Sequence, residues 1–408
     1  MITKLELLYV KSLHKGKDDT KTLAAKIGVN QYMLYDIEAG RRNLTKDIFN
    51  KIIKYYNVTY NDRQSIYDEA YNLTLELFSY IITFDYGTLN KRYDESLNRI
   101  NLFKDSKAFI FYDLIKAIKM EHENKNIMSE HLNICKDYLD LYDNNMIFIY
   151  SILWSFTKRL SYDYKELKEV LLKPYHKYSI IGVNEHILGM LYYQIGRIYE
   201  VENDCFEALI FYDKSINCFK NTNNIQRILQ VKIQQATCYI SLKNYNKAEH
   251  ELLIIYDDSI KYGFKRRIVA CANNLSFLYF IKHDYVNSLK FIKDARANGS
   301  RFSDLNYYEA YIIYKTGNTS DARKCIKKYI DNESDPDIMH TLKLIQSFVN
   351  ENDKNVERYM ELAIKDFKKL NSNLDIQLIY EMVLDYYKDR NPQRIKELLP
   401  EYIKLIRW

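Results

Sequence analysis

Beyond residue 65 the chain alternates apolar positions at helical spacing, in stretches of about 12 to 18 residues, with short polar turns such as NKN, DNN, END and TGN. Strict two-residue alternation, the mark of a half-buried strand, is not convincing anywhere. The pattern therefore predicts a long succession of amphipathic helices. Its clearest unit is LYYQIGRIYEVENDCFEALIFYDKSI, residues 191 to 216, in which two apolar stripes flank a polar turn. Small or β-branched residues recur downstream of Ala208 at Ala248, Ser288, Ala322 and Val356, with spacings of 40, 40, 34 and 34 residues. Before residue 190 and after residue 365 the repeats weaken, although FIFYDLIKAIKMEHENKNIMSEHLNICKDYL and IQLIYEMVLDYYKDRNPQRIKELL keep the paired-helix rhythm.

The first 60 residues follow a different plan. From Leu23 they read LAAKIGVNQYMLYDIEAGRRNLT, with Asp19 before and Thr45 at the end as helix N-cap types. Leu23, Ala24 and Ile27 mark one face of a short helix that stops at Gly28, and Leu34 and Ile37 mark a second that begins after Asn30. Ile48, Ile52, Ile53 and Val58 supply the packing of a closing helix. A helix, a turn with glycine and a second helix form the unit whose second helix lies in the DNA major groove.

Composition strengthens the helical reading. Only 10 Gly and 4 Pro occur in 408 residues, too few for the tight turns of a many-stranded sheet, while 39 Tyr and 18 Phe supply bulky amphipathic packing. Apolar residues at 47% and charged residues at 28% exclude disorder for most of the chain. Lys4 and Glu6 interrupt any export signal, and the longest apolar stretch, Met146 to Phe156, falls well short of the ~20 residues that a membrane helix needs. The expected location is cytoplasmic, with no membrane partner. Six cysteines without a CxxC pair read as small buried apolar residues.

Charge adds the first functional signal. Residues 1 to 60 hold 11 Lys or Arg and 6 acids, a surplus of five, whereas the other 49 basic and 48 acidic side chains nearly cancel. A basic head on a neutral body points the head toward a polyanion. Eight scattered His, no HExxH, no GxGxxG and no GxxxxGK[ST] leave no place for a metal, a cofactor or a nucleotide, and no acid and base constellation points to an enzyme.

Two resemblances follow from these residues. The series Leu23, Ala24, Gly28, Val29, Leu34, Ile37, Glu38, Gly40, Arg41 resembles the Xre/Cro-type helix-turn-helix family, and Tyr192, Ile195, Gly196, Tyr199, Ala208 and Tyr212 resemble a tetratricopeptide repeat. The fold expected is all-α: a helix-turn-helix domain over residues 1–62 and a tetratricopeptide-like α-solenoid over 63–408, winding as one curved superhelix. In the head, Gln31, Tyr32, Tyr35 and Asp36 occupy the exposed side of the recognition helix, where Gln pairs with adenine and Tyr meets a thymine methyl or a phosphate. Asn30, which opens that helix, and Thr20 are counted with them as DNA-binding residues, and Arg41, Arg42 and Asn43 follow the helix as phosphate contacts. Thr20 stands where the family carries a phosphate-binding glutamine. Glu38 stands where the family pairs a glutamate with an arginine of the first helix, and here only Lys11 or His14 is near that place.

The combination resembles the RRNPP family of Gram-positive peptide-pheromone receptors. That resemblance implies a homodimeric transcription regulator, of sporulation or virulence genes for example, which binds a double-stranded operator with paired half-sites. A short linear signalling peptide in the concave groove of the repeats would control it. Counting by family analogy, the groove residues are Tyr193, Arg197, Glu200, Gln230, Ile233, Thr237, Asn273, Phe277, Tyr307 and Tyr311; the amide of Asn273 can donate to and accept from a peptide backbone at once. Two other readings stay open: a repeat scaffold that binds a protein partner and uses the head as a DNA tether, and a constitutive repressor without an effector.

Overall fold

A computed structural model describes residues 3–158, 160–317 and 319–406, so Asn318 of the expected TGN turn lies outside the described residues. Among these residues there are 23 α-helices and no strand; the single β-bridge joins Asn61 and Ser106. No helix is long and apolar enough to cross a membrane. The chain divides into two compact units, residues 1–158 with 169–188, and residues 159–168 with 189–408.

The first unit begins with α1 (Lys4–His14), α2 (Thr20–Ile27), α3 (Gln31–Glu38) and α4 (Lys46–Tyr55). It continues through α5 (Gln64–Thr83), α6 (Tyr86–Glu95), α7 (Leu97–Lys104), α8 (Phe109–Met120), α9 (Lys125–Cys135), a 3-10 turn and α10 (Asn144–Thr157). Asp19 caps α2 by accepting from Thr22 N, and Thr45 caps α4 by accepting from Ile48 N, as their residue types predict. Gly28 ends α2 in the left-handed region at φ 67°, where a side chain would be strained. Leu23, Ala24, Ile27, Leu34, Ile37, Ile48 and Ile52 form the head's core as expected. Phe49 joins them, while Ile53 and Val58 stay half-buried.

The head shares its core with the helices that follow. Tyr9 of α1 is 1% exposed, its ring lies 5.2 Å from that of Phe109 of α8, and its hydroxyl donates to Asp105 at 3.1 Å. Asn61 N donates to Asp105 O and Lys107 N to Asn61 O. A fragment cut at residue 62 would uncover this aromatic face.

Helix α11 (Leu160–Lys177) contributes to both units, and α12 (Glu185–Val201) leads into the second. There the chain becomes metronomic. Helices α13 (Cys205–Asn221), α14 (Ile225–Ser241), α15 (Tyr245–Lys261) and α16 (Lys265–Ile281) each span 17 residues. The turns between them reverse through a left-handed residue at Asn203, Asn223, Lys243, Gly263 and His283. The array goes on through α17 (Tyr285–Ala297), α18 (Asp304–Lys315), α19 (Thr319–Ile330), α20 (Pro336–Val349), α21 (Asp353–Lys369), α22 (Asn373–Tyr387) and α23 (Pro392–Ile406). Shortening of α17, α18 and α19 to 12 or 13 residues explains why the later spacing falls from 40 to 34.

The small residues do what the repeat resemblance implies. Ala208, Ala248, Ser288, Ala322 and Val356 are all 0% exposed, each letting a partner helix approach. At Gly196 a Cβ would lie 2.5 Å from the ring of Tyr212, so the glycine is a steric requirement of the α12 and α13 contact. All six cysteines are free thiols; five are buried and Cys325 is half-buried.

Candidate functional site

On the head, α3 presents Tyr32 at 70% and Tyr35 at 45% exposure, with Gln31 half-buried beside them. Asn30 is committed as the cap of α3: its Oδ1 accepts from Tyr32 N at 2.8 Å and from Met33 N at 3.3 Å. Asp36 and Arg41 are bound to each other, with Nε to Oδ1 at 2.9 Å and a second guanidinium nitrogen at 2.8 Å. Arg42 and Asn43 are exposed on the loop that follows.

Two head residues take structural roles. Thr20 turns inward and donates to Glu38 Oε2 at 2.7 Å, so its hydroxyl is engaged away from any phosphate. His14 Nε2 stands 3.1 Å from Glu38 Oε1, so of Lys11 and His14 it is the latter that meets this carboxylate. Its close pairing with Glu38 raises the His14 pKa from its ordinary value against the opposing effect of burial. Burial pushes the Glu38 carboxyl upward, but the bonds from His14 and Thr20 outweigh it and hold the group below 4.5.

In the second unit the first helices of successive pairs surround an interior space, which the segment before α22 closes. Arg197, Glu200, Thr237, Asn274 and Phe277 meet residues 370–374 around a cavity of about 270 Å³. A neighbouring cavity of about 320 Å³ shares Asn274, Phe277, Ser372 and Leu374 with it, and adds Asn273, Phe302, Asp304, Tyr308 and Asp375. A third, of about 430 Å³, has Tyr311, Lys315, Glu381 and Asp385 among its lining residues. The edges of the interior are tied by Asn203 Nδ2 donating to Asn371 O at 3.5 Å, Tyr307 to Asp375 at 2.9 Å, and Tyr311 to Asp385 at 3.1 Å.

Of the ten groove residues expected from sequence, Arg197, Glu200, Thr237, Asn273, Phe277 and Tyr311 line these spaces. Glu200 is held by Thr237 Oγ1 at 2.6 Å and Tyr212 OH at 2.5 Å, and Asn273 Oδ1 accepts from Ser300 Oγ at 2.9 Å. The other four are not among the residues that line these three spaces. Ile233 is 2% exposed because its helix face turns into the core. Tyr193 and Gln230 bond each other at 3.0 Å and line none of the three cavities, Gln230 being further engaged by Arg227 at 2.8 Å. Tyr307 is 1% exposed and lies behind the wall, whereas its neighbour Tyr308 forms the wall.

Sequence reasoning missed Asn274, Asp304, Asp375 and the crossing segment 370–374. Asn274 was legible as a carboxamide beside Asn273, but ordinary repeats also favour Asn there. Nothing local marks the others: Asp304 opens α18, 30 positions after Asn274, and Asp375 and residues 370–374 reach the cavity through the return of the chain about 100 positions after it.

No protein-family model matches the chain, and no curated protein matches it in sequence. Among solved structures it is similar to the apo form of the quorum sensor NprR from B. thuringiensis, with 16% identity, 84% of this chain and 99% of that chain covered, and a TM-score of 0.62. It is also similar to NprR in complex with its cognate peptide NprX, with 17% identity, coverage of 83% and 98%, and a TM-score of 0.61. A Rap protein complexed with competence and sporulation factor gives 10% identity, coverage of 83% and 99%, and a TM-score of 0.67. At these identities the likeness shows the fold alone, and it bears out the all-α repeat architecture expected from sequence.

Proposed function

We propose that the chain is a cytoplasmic, homodimeric DNA-binding regulator whose hold on an operator is set by a short linear peptide bound inside the second unit. Residues 1–62 would meet DNA, and residues 63–408 would hold the peptide and the dimer partner. The observation that carries this reading is the coexistence, in one chain, of the exposed Tyr32 and Tyr35 with the half-buried Gln31 on α3, and of cavities lined by amides, charges and aromatic rings. The +5 surplus of the head supports it, as does the existence of a peptide complex for NprR, a protein of the same fold. Such a peptide acts by population shift: it binds one arrangement of the repeats better than another and so changes the spacing of two heads over two half-sites.

The test is selection of bound sequences from random duplexes by the full chain, followed by fluorescence anisotropy on the selected site with and without short synthetic peptides. The expected result is one preferred palindromic site, with an affinity that changes at least tenfold with a bound peptide. Gln31→Ala should cost about 1–3 kcal/mol on that site and little on random duplex. Binding of no peptide, with a larger protein partner co-purifying on the repeats, would replace this reading with the protein-scaffold one.

A further inference from the structure

Eight residues separate α4 from α5, and fully extended they would reach about 26–29 Å, slack enough for a head to swing. The structure takes that slack up. Val58 N donates to Ile53 O, and Tyr60 lays its ring 4.7 Å from that of Tyr9 and 5.2 Å from that of Phe49. Asn61 then bridges to Ser106: its N–H donates to Asp105 O at 3.0 Å, and its carbonyl accepts from Lys107 N at 2.8 Å. A second tie runs from α1. Tyr9 donates its hydroxyl to Asp105, just before α8, and sets its ring on Phe109, which in turn lies 5.2 Å from Tyr138 of the 3-10 turn Lys136–Leu141. Lys4 and Lys15 pair with Asp140 and Asp137 of the same turn at 3.1 and 2.7 Å. Those ion pairs are exposed and weigh little, so the buried rings carry the hold and the charges set its direction. Held both along the linker and along α1, the head cannot turn about residue 62 without breaking a buried aromatic cluster.

We propose that Tyr9, Asp105 and Phe109 are specificity-determining residues for operator spacing: by mooring the head on α8 and its neighbouring turns, they decide which separations of two half-sites the protein accepts. None of the three reads a base; each is a positioning residue that acts through the direction in which α3 is presented. The proposal rests on the paired half-site reading given above. Two recognition helices enter the major groove one helical turn or a multiple of it apart, so moving one half-site by 5 base pairs displaces it by about 17 Å and onto the opposite side of the duplex. A head on a free eight-residue tether could follow that move. A moored head cannot, and the affinity gained from the second half-site is lost when geometry forbids both contacts at once.

The test uses the full chain in two arms. The first is hydrogen exchange read by mass spectrometry without DNA. The amides of Asn61 and Lys107, which close the bridge between linker and α8, should be protected together in wild type. Phe109→Ala, a change made outside the head, should speed their exchange by roughly tenfold or more and leave the amides of α2 and α3 as they were. Tyr9→Phe deletes only the bond to Asp105 and keeps the ring, so it gives a smaller effect and serves if Phe109→Ala does not fold. The second arm is anisotropy on duplexes that carry the selected half-sites at their selected spacing or 5 base pairs further apart. Wild type should lose roughly tenfold or more on the wider duplex, Phe109→Ala about threefold or less, and Tyr9→Phe an amount between them. Equal spacing penalties in wild type and the variants, a wild type that tolerates the insertion, or wild-type Asn61 and Lys107 amides that exchange like an open loop would overturn the proposal. If no operator is selected at all, the DNA reading falls and takes the spacing role with it; if one is selected and the penalties are equal, the spacing role falls alone.

Discussion

Replacing Gly196 by alanine sets two physical effects against each other. Helix propensity alone favours alanine in a helix interior by roughly 0.5–1 kcal/mol. Against this, the new Cβ would stand 2.5 Å from Tyr212 Cε1 and 2.7 Å from Cδ1, about 1 Å inside the ~3.5 Å of ordinary carbon contact. Tyr212 has no room to yield: its side chain is 0% exposed, and its hydroxyl is tied to Glu200. Overpacking of a rigid core costs about 1–3 kcal/mol, so the net expectation is a loss of about 1–2 kcal/mol. The assay is the urea midpoint of the full chain followed by far-UV circular dichroism, repeated in a Tyr212→Leu background. There the obstructing ring is gone, and Gly196→Ala should become neutral or stabilising, which makes the pair a double-mutant cycle. A wild-type background stabilised by Gly196→Ala, or an equal loss in both backgrounds, would refute the reasoning.

Other outcomes follow from the head and the turns. His14→Gln keeps a donor to Glu38 but loses the charge; the raised His14 pKa gives stability that is full below pH 6.5 and lost as pH rises through it, and the lowered Glu38 pKa gives stability present above pH 4.5. The variant should therefore trail wild type by about 1 kcal/mol near pH 5.5, and thermal melts should show the gap closing by pH 8.5. Asp36→Asn removes a negative charge and releases Arg41, so affinity for any duplex should rise and the salt dependence steepen by about one unit in anisotropy titrations; an unchanged slope would count against a phosphate role for Arg41. Lys243 reverses the chain at φ 59°, and Lys243→Gly should raise the urea midpoint by the equivalent of about 1 kcal/mol.

How much of this was legible in the sequence depended on distance along the chain. The caps Asp19 and Thr45, the turn at Gly28 and the seam residues from Ala208 to Val356 are local signals, and the structure places each where its chemistry requires. Groove positions were counted by analogy around each helix, and a helix advances about 100° per residue, so a shift of one residue separates Tyr307 from Tyr308, the one of the two buried rings that lines the cavity. Asp304 and Asp375 lie 71 positions apart in number and meet only because the array curves back; no local period carries that information.

The contacts that tie the interior shut also bear on the order in which the second unit assembles. Within the 17-residue helices each element packs on its immediate neighbour, so formation spreads by propagation with little loop-closure cost. The ties between Asn203 and Asn371, Tyr307 and Asp375, Tyr311 and Asp385, and Lys315 and Asp385 span 168, 68, 74 and 70 residues, and those of Asn203 and Lys315 are exposed while Tyr307 and Tyr311 are anchored in the core. They have to wait for every helix between them. The exposed ties of Asn203 and Lys315 exchange partners with water at the least cost, so any opening of the interior would start at them while each helix keeps its own ladder. A guest that touches both edges then acts as a clasp, and its binding energy is drawn entirely on the closed form.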